Sequence, residues 1–362
     1  MSFIHSQHQS FSGERSNNMH SFTATSEKRS SFKGVILAIV AIICSSCIPP
    51  FVNLYKGVSI PVIGAWRHQL SCIYCIPLSW YMLRKLPKID KRVFTWTTLS
   101  EIVLAATFFC IASVMFLMSS RKTLYSHTMT LANSGGIILI LVNVIRLIPI
   151  NRYEIIGTIV VVCGIFALIN DSESTKAEGS TNILLGDTFA LISMPCYTLA
   201  FVFNSRAIQK LPSLVVFHCF SVVQLVLFTT YILIFSGIEM QVLFSRDPIG
   251  GLFGWSDPNW ILLSTLIIAP ICGVLGVGCY VFLLDFFPPH IVNGIFLLEP
   301  FVGQLIGTLL GQDGWPTIFT YIGALLVTIG LGFTIMGNAK TKDEEDVPKE
   351  ILDIELSQSS LL

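Results

Sequence analysis

The chain has 362 residues, of which 53% are hydrophobic and only 12% charged, with a formal net charge of zero and a mean hydropathy of +0.72. Soluble globular chains carry about 25% charged residues, so this composition excludes a soluble domain and points to a polytopic membrane protein. Net charge itself says nothing of partners, because the charges fall almost wholly between apolar segments.

Residues 1–32 are polar, rich in Ser and His and without an apolar signal-peptide core, and read as a disordered cytoplasmic tail. Apolar runs near or above the roughly 18 residues needed to cross hydrocarbon then recur along the chain. They place spans at 33–54, 61–83, 97–118, 125–147, 153–170, 184–205, 213–236, 259–284, 290–310 and 315–337. The fold class expected is therefore an all-α integral membrane protein of ten transmembrane helices. A linker at 172–182 separates 33–171 from 183–337, and an acidic tail over 338–362, containing KDEEDVPKE, is expected to be disordered. All ten cysteines lie inside spans, where a disulfide framework is not expected. The CxxC spacings Cys44/Cys47 and Cys72/Cys75 read as small packing residues, and no metal or cofactor is called for.

Lys and Arg set the orientation. With the N-terminus in the cytoplasm, sixteen basic residues fall on that side and five on the other: Lys56, Arg121, Lys122, Lys176 and Arg246. This asymmetry predicts an even number of crossings and both termini cytoplasmic. The remaining basic residue, Arg67, lies within a span. The sequon Asn170-Asp171-Ser172 falls on the non-cytoplasmic side but abuts the membrane too closely to be a good glycosylation acceptor.

The chain also repeats itself. A shift of 166 residues superposes Gly157 on Gly323, Gly164 on Gly330 and, without a gap, Asn133-Ser134 on Glu299-Pro300. A shift of 152 puts Gly34, Ala38 and Cys44 on Gly186, Ala190 and Cys196, and aligning Pro61 with Pro212 sets Arg67 opposite His218. Each unit has five helices, an odd number, so the second must run inverted through the bilayer, an arrangement that secondary transporters use to bracket a midplane site. Arg67 and His218 are each about six residues in from opposite faces, near 9 Å deep at roughly 1.5 Å per residue. Asn133 and Glu299 lie deeper.

The stretches LLGDTFALISMPCYTLA (184–200), LLEPFVGQLIGTLLGQ and IGALLVTIGLG resemble the EamA-type repeat of the drug/metabolite transporter superfamily. The resemblance covers about residues 33–337. The second repeat matches well, and the first departs from the pattern at Asn133-Ser134, where many relatives have an apolar residue followed by proline. It implies two inverted EamA-like repeats and a solute carrier working by alternating access. Nucleotide-sugar transporters of the superfamily often carry FYNN-like and GALNK-like motifs; FVFNS (201–205) and VNGIF (292–296) are poor counterparts. Triose-phosphate translocators bind phosphate with basic residues in the second half, whereas 260–337 contains no Lys or Arg.

Glu299-Pro300 is the strongest local anomaly. A carboxylate at a helix centre costs roughly 2.5–3.5 kcal/mol on insertion scales, and a proline beside it removes a backbone hydrogen bond. Glu299 reads either as a substrate- or proton-handling group or as a structural or gating hydrogen-bonder, and Pro300 as a hinge whose freed carbonyl neighbouring helices re-satisfy. Arg67 is either a substrate anchor or the partner of a buried acid, Glu299 being the natural one. His218 is either a titrating cavity group or a satisfied bundle residue, and His68 carries little weight. Pro49, Pro50, Pro195 and Pro270 mark further bends. Asp187 reads as a helix cap, Glu101 and Asp285 as snorkelling end residues, and Gly303, Gly307 and Gly311 as a small-residue packing face that would permit a homodimer.

No HExxH, P-loop or nucleophile elbow supports an enzyme, and one midplane acid within inverted repeats fits a carrier better than a channel. The expectation is a secondary transporter of a small organic solute, its cavity faced by Glu299, Arg67, His218 and Asn133. The expected partners are that solute and membrane lipids, with no nucleic acid. A nucleotide-sugar-type antiporter and a non-transporting scaffold or sensor are the alternatives.

Overall fold

Pro49-Pro50 divides the first apolar run. Helix α1 (Ser31–Ser46) stops one residue before α2 (Ile48–Val52), whose first turn holds both prolines, where their missing N–H groups cost nothing. The computed structural model describes residues 31–85, 95–135, 138, 145, 151–169, 182–287, 292 and 295–345. Within these, α3 spans Ile60–Lys85, α4 Trp96–Ser120, α5 Tyr125–Asn133, α6 Arg152–Ile169, α7 Ile183–Ile208, α8 Ser213–Phe235 and α9 Met240–Leu243. A wide π-helix over Leu263–Val277 runs into α10 (Gly278–Phe282), and α11 (Glu299–Leu309) and α12 (Ile318–Glu345) follow. No strand occurs among the described residues.

Five described segments are long and apolar enough to cross a membrane: Lys33–Val52, Trp96–Ser120, Ile183–Ile208, Ser213–Phe235 and Leu263–Asp285. α3 is as long as any of them, but Arg67, His68 and Gln69 dilute its apolar character. Large apolar side chains also face outward: Ile155, Ile159 and Phe166 on α6, Val226 and Ile234 on α8, and Ile322, Leu325 and Ile329 on α12. Water would penalise such a surface and lipid does not, so the chain is an all-helical integral membrane protein.

Local signals set the helix ends. Thr95 caps α4 by accepting from Thr98 N, and Asn182 caps α7 by accepting from Leu185 N. Gly311, just past α11, has φ +69°, the left-handed geometry that ends helices cheaply at glycine. It is therefore a terminator and not part of a packing face. Gly303 and Gly307 do form such a face, but within the chain: a Cβ there would come 2.3 Å from Met129 Cε and 2.2 Å from Tyr125 Cδ2 of α5.

The helices pack in a definite set of pairs. α3 lies against α8, α5 against α11 and α6 against α12, while α4 packs on α7 as the π-helix packs on α1. α3 also meets the π-helix, α8 meets α4, α5 meets α7, and α11 meets α1. The α6–α12 contact is the closest. A Cβ on Gly164 would sit 2.8 Å from Gly323 O and Val327 N, and one on Gly330 would sit 2.6 Å from Gly157 O and 2.7 Å from Val161 N.

One expectation changes here. α12 continues through Glu345, past the expected end of ordered structure at Asn338, because AKTKDEE is built of helix-tolerant residues with no proline before Pro348. Pro195 lies inside α7 and Pro270 inside the π-helix. Residues 1–30, the linker up to 181 with its sequon, and 346–362 lie outside the described residues. All ten cysteines are free thiols.

Candidate functional site

Pro300 organises the centre. It has no N–H to give the carbonyl four residues back, Phe296 O, and the chain before Glu299 tightens into a 3-10 turn over Phe296–Leu298. Phe296 O keeps the 3-10 bond from Glu299 N, and Asn133, at the end of α5, adds a second donor: its Nδ2 donates to Phe296 O at 3.0 Å and to Glu299 Oε2 at 2.8 Å. Tyr280 Oη, from α10, donates to Glu299 Oε1 at 2.8 Å, and Ser46 Oγ donates to the Glu299 carbonyl at 3.3 Å. Glu299 is thus fully buried yet satisfied on both oxygens, as a polar group in a low-dielectric interior requires. Tyr280 is held in turn by stacking on Phe296, 3.9 Å between centroids.

Arg67 faces the same small cavity, with Ser45, Phe109, Ser113, Phe116, Tyr197, Phe201, Tyr280, Asn133 and Glu299 also on its wall. The cavity holds about 20 Å³, room for a water molecule or little more. Arg67 is 2% exposed, and its one hydrogen bond runs from Nη2 to His68 Nε2 at 3.2 Å. Arginine has only donors, so His68 Nε2 is an acceptor there and carries no proton. No carboxylate among the described residues pairs with Arg67. The expected Arg67–Glu299 ion pair is therefore absent, because Asn133 and Tyr280 already occupy the Glu299 oxygens. Gly273 of the π-helix lets the Arg67 stem pass: a Cβ there would meet Arg67 Cγ at 3.3 Å and Ser71 Oγ at 2.2 Å.

Of the four expected cavity residues, three gather and His218 does not. It is half-buried on α8, off this cavity, with Nδ1 unpartnered. Phe217, one residue earlier, is the fully buried one; a helix turns about 100° per residue, so an alignment slip of one position moves a side chain off its face. His68, discounted from sequence, stacks on Phe228 at 5.8 Å and braces Arg67.

Asp187 is not a helix cap. Its Oδ1 accepts from Thr123 Oγ1 at 2.8 Å and lies 3.3 Å from His127 Nδ1, while His127 Nε2 is 3.3 Å from Thr320 Oγ1. This buried cluster ties α5, α7 and α12 together. Sequence reading missed it: Thr123 lies in the turn before α5 and His127 in its first turn, and nothing local marks them as partners of Asp187. It likewise missed Tyr125 and Gln304: Asn53 and Gln312 both bond Tyr125 Oη, Asp313 accepts from Tyr125 N, and Gln304 accepts from Ser126 N.

At the opposite end of the bundle Lys210 pairs with Glu101 at 2.7 Å, Ser213 donates to Asp285 at 2.5 Å, and Phe108 stacks on Phe203. Glu101 and Asp285 are thus bonded within the bundle and not merely extended to water.

No family model matches this chain, and no curated protein matches it. Thirteen solved chains are similar in structure. One, described only as "Crystal structure of protein", is 12% identical, with a TM-score of 0.55 over 85% of this chain and 98% of that one. At that identity the likeness is one of fold alone.

Proposed function

We propose that this chain is a secondary carrier that moves a small organic solute across a membrane by alternating access, built as two inverted five-helix repeats of the EamA type. The observation that carries the reading is the packing. Exchanging α1 with α7, α3 with α8, α4 with the π-helix, α5 with α11 and α6 with α12 turns the nine most extensive helix pairs, those named above, into one another. The 166-residue shift fits this exchange: Gly164 abuts Gly323 O and Gly330 abuts Gly157 O, and Asn133 bonds Glu299. A pseudo-two-fold axis through the centre accounts for each of these. Two halves that can trade conformations about a central cavity are what alternating access needs.

In this reading both termini are cytoplasmic, ten spans are present, and the Tyr125–Gln312–Asn53 network closes the outer end while Lys210–Glu101 and Phe108–Phe203 close the inner one. The contracted cavity between them corresponds to an occluded form. Glu299-Pro300 marks where the α11 backbone can flex, with Asn133 as its latch. A hydrogen-bonded carboxylate at this depth is a candidate for proton coupling as well as gating.

The test is a thermal-shift screen of purified protein against metabolites, sugars, nucleotides and amines, repeated with Glu299→Gln and followed by counterflow in liposomes. A ligand that stabilises the wild type and undergoes counterflow supports the carrier. Stabilisation and counterflow by nucleotide sugars would assign the chain to that antiporter class. No stabilisation and no counterflow across the library would replace the carrier with a scaffold.

A further inference from the structure

We infer that the solute is a small organic anion bearing a single carboxylate-like charge on a flat apolar body, with Arg67 as its anchor. This deepens the carrier reading and rests on it. The first observation is an uncompensated cation. Arg67 is 2% exposed, its Nε has no partner, its one hydrogen bond goes to a neutral imidazole, and no acid among the described residues lies within ion-pairing distance. A buried guanidinium is costly unless something pairs with it, and the fold invests in holding this one: His68 braces its head, and Gly273 clears a path for its stem. Glu299, the one carboxylate on the cavity wall, has both oxygens taken by Asn133 and Tyr280. What is missing at Arg67 is an anion from outside the chain.

The rest of the wall limits which anion fits. Arg67 is the only cation on it among the described residues, so one negative charge is neutralised and a phosphate dianion is not. Phe109, Phe116, Tyr197, Phe201 and Tyr280 present rings, with Tyr197 edge-on to both Phe109 and Phe116 at 5.1 and 6.0 Å. These rings pack on one another and leave about 20 Å³ in this contracted state, so a flat apolar body enters among them when the cavity widens. The guanidinium fork fixes the carboxylate, so the solute has one orientation.

The experiment uses the purified full chain with four probes of one shape: benzoate, benzamide, benzylammonium and phenyl phosphate. Binding is read by thermal shift and by competition against radiolabelled benzoate. Benzoate is expected to stabilise the protein, with the other three weaker by roughly tenfold or more, the usual size of losing a desolvated charge contact. Arg67→Gln should remove the benzoate response while leaving the ligand-free melting temperature unchanged or higher, and Arg67→Lys should keep part of it. A benzoate response that survives Arg67→Gln overturns the anchor. Preference for benzylammonium or phenyl phosphate, or silence with benzoate, overturns the anion class but leaves the carrier intact if the wider library still shows counterflow. A sharp fall in ligand-free stability in both Arg67 variants would make Arg67 a structural counter-charge and also overturn the proposal.

Discussion

Asn133 and Glu299 are 166 residues apart in sequence and 2.8 Å apart in space, and that separation equals the offset that superposes one half of the chain on the other. Two positions that the internal offset superposes are bonded to each other. The same Asn133 amide also donates to Phe296 O, the carbonyl that Pro300 has no N–H to serve and that Glu299 N alone would otherwise bond.

Removing that amide should therefore be costly, and proline should be the reason. Asn133→Ala takes the side-chain donor from Glu299 Oε2 and from Phe296 O, which keeps its bond from Glu299 N, with an expected loss of about 1–3 kcal/mol. Pro300→Ala in the same chain restores an N–H for Phe296 O and should recover about 1 kcal/mol of it. A double-mutant cycle on thermal or denaturant unfolding in detergent reads this directly. Strict additivity of the two changes would show that Asn133 does not serve the proline gap.

The α6–α12 contact predicts a matched pair of effects. Gly164→Ala and Gly330→Ala both push a methyl into facing backbone and should each cost about 1–3 kcal/mol. Gly332→Ala, two residues along, meets nothing within 4 Å and should be neutral or stabilising by about 0.5–1 kcal/mol, the helix preference of alanine over glycine. The three melting temperatures settle it. Equal behaviour of Gly330 and Gly332 would contradict the interface.

Asp187→Ala separates a cap from a buried partner. Losing a cap costs about 1 kcal/mol, whereas leaving two buried donors without their acceptor costs roughly 1–3 kcal/mol each. The larger loss is expected, since Thr123 and His127 would both lose their acceptor. Thr123→Val should fall between, at about 1–2 kcal/mol.

Lys210→Ala is the contrasting case. The Lys210–Glu101 pair is short, but Lys210 is 38% exposed at its side chain, and such pairs contribute about 0–1 kcal/mol. A change below about 1 kcal/mol is expected. Its effect on transport should exceed its effect on stability, because it ties α4 to α7 at one end of the cavity; uptake rate and melting temperature measured on one preparation separate the two.

The sequence by itself determined the membrane class, the helical content and the identity of the critical pair. Hydrophobic run length reports on transfer into lipid, and a glutamate beside a proline in such a run is anomalous wherever it is found. The internal offset superposes Asn133 on Glu299 without coordinates, but sequence alone offers Arg67 and not Asn133 as the partner of that acid. It did not determine which faces of different helices meet. His218 fell off the cavity and Phe217 took the buried position, because about 100° of rotation separates neighbours on a helix. Tyr280 and His127 are one polar side chain each in apolar or mixed stretches, with nothing local to distinguish them. Only the tertiary structure brought Tyr280 to Glu299 and His127 to Asp187, and left Arg67 without an acid, because hydrogen bonds between helices depend on rotation and contact that one-dimensional spacing does not carry.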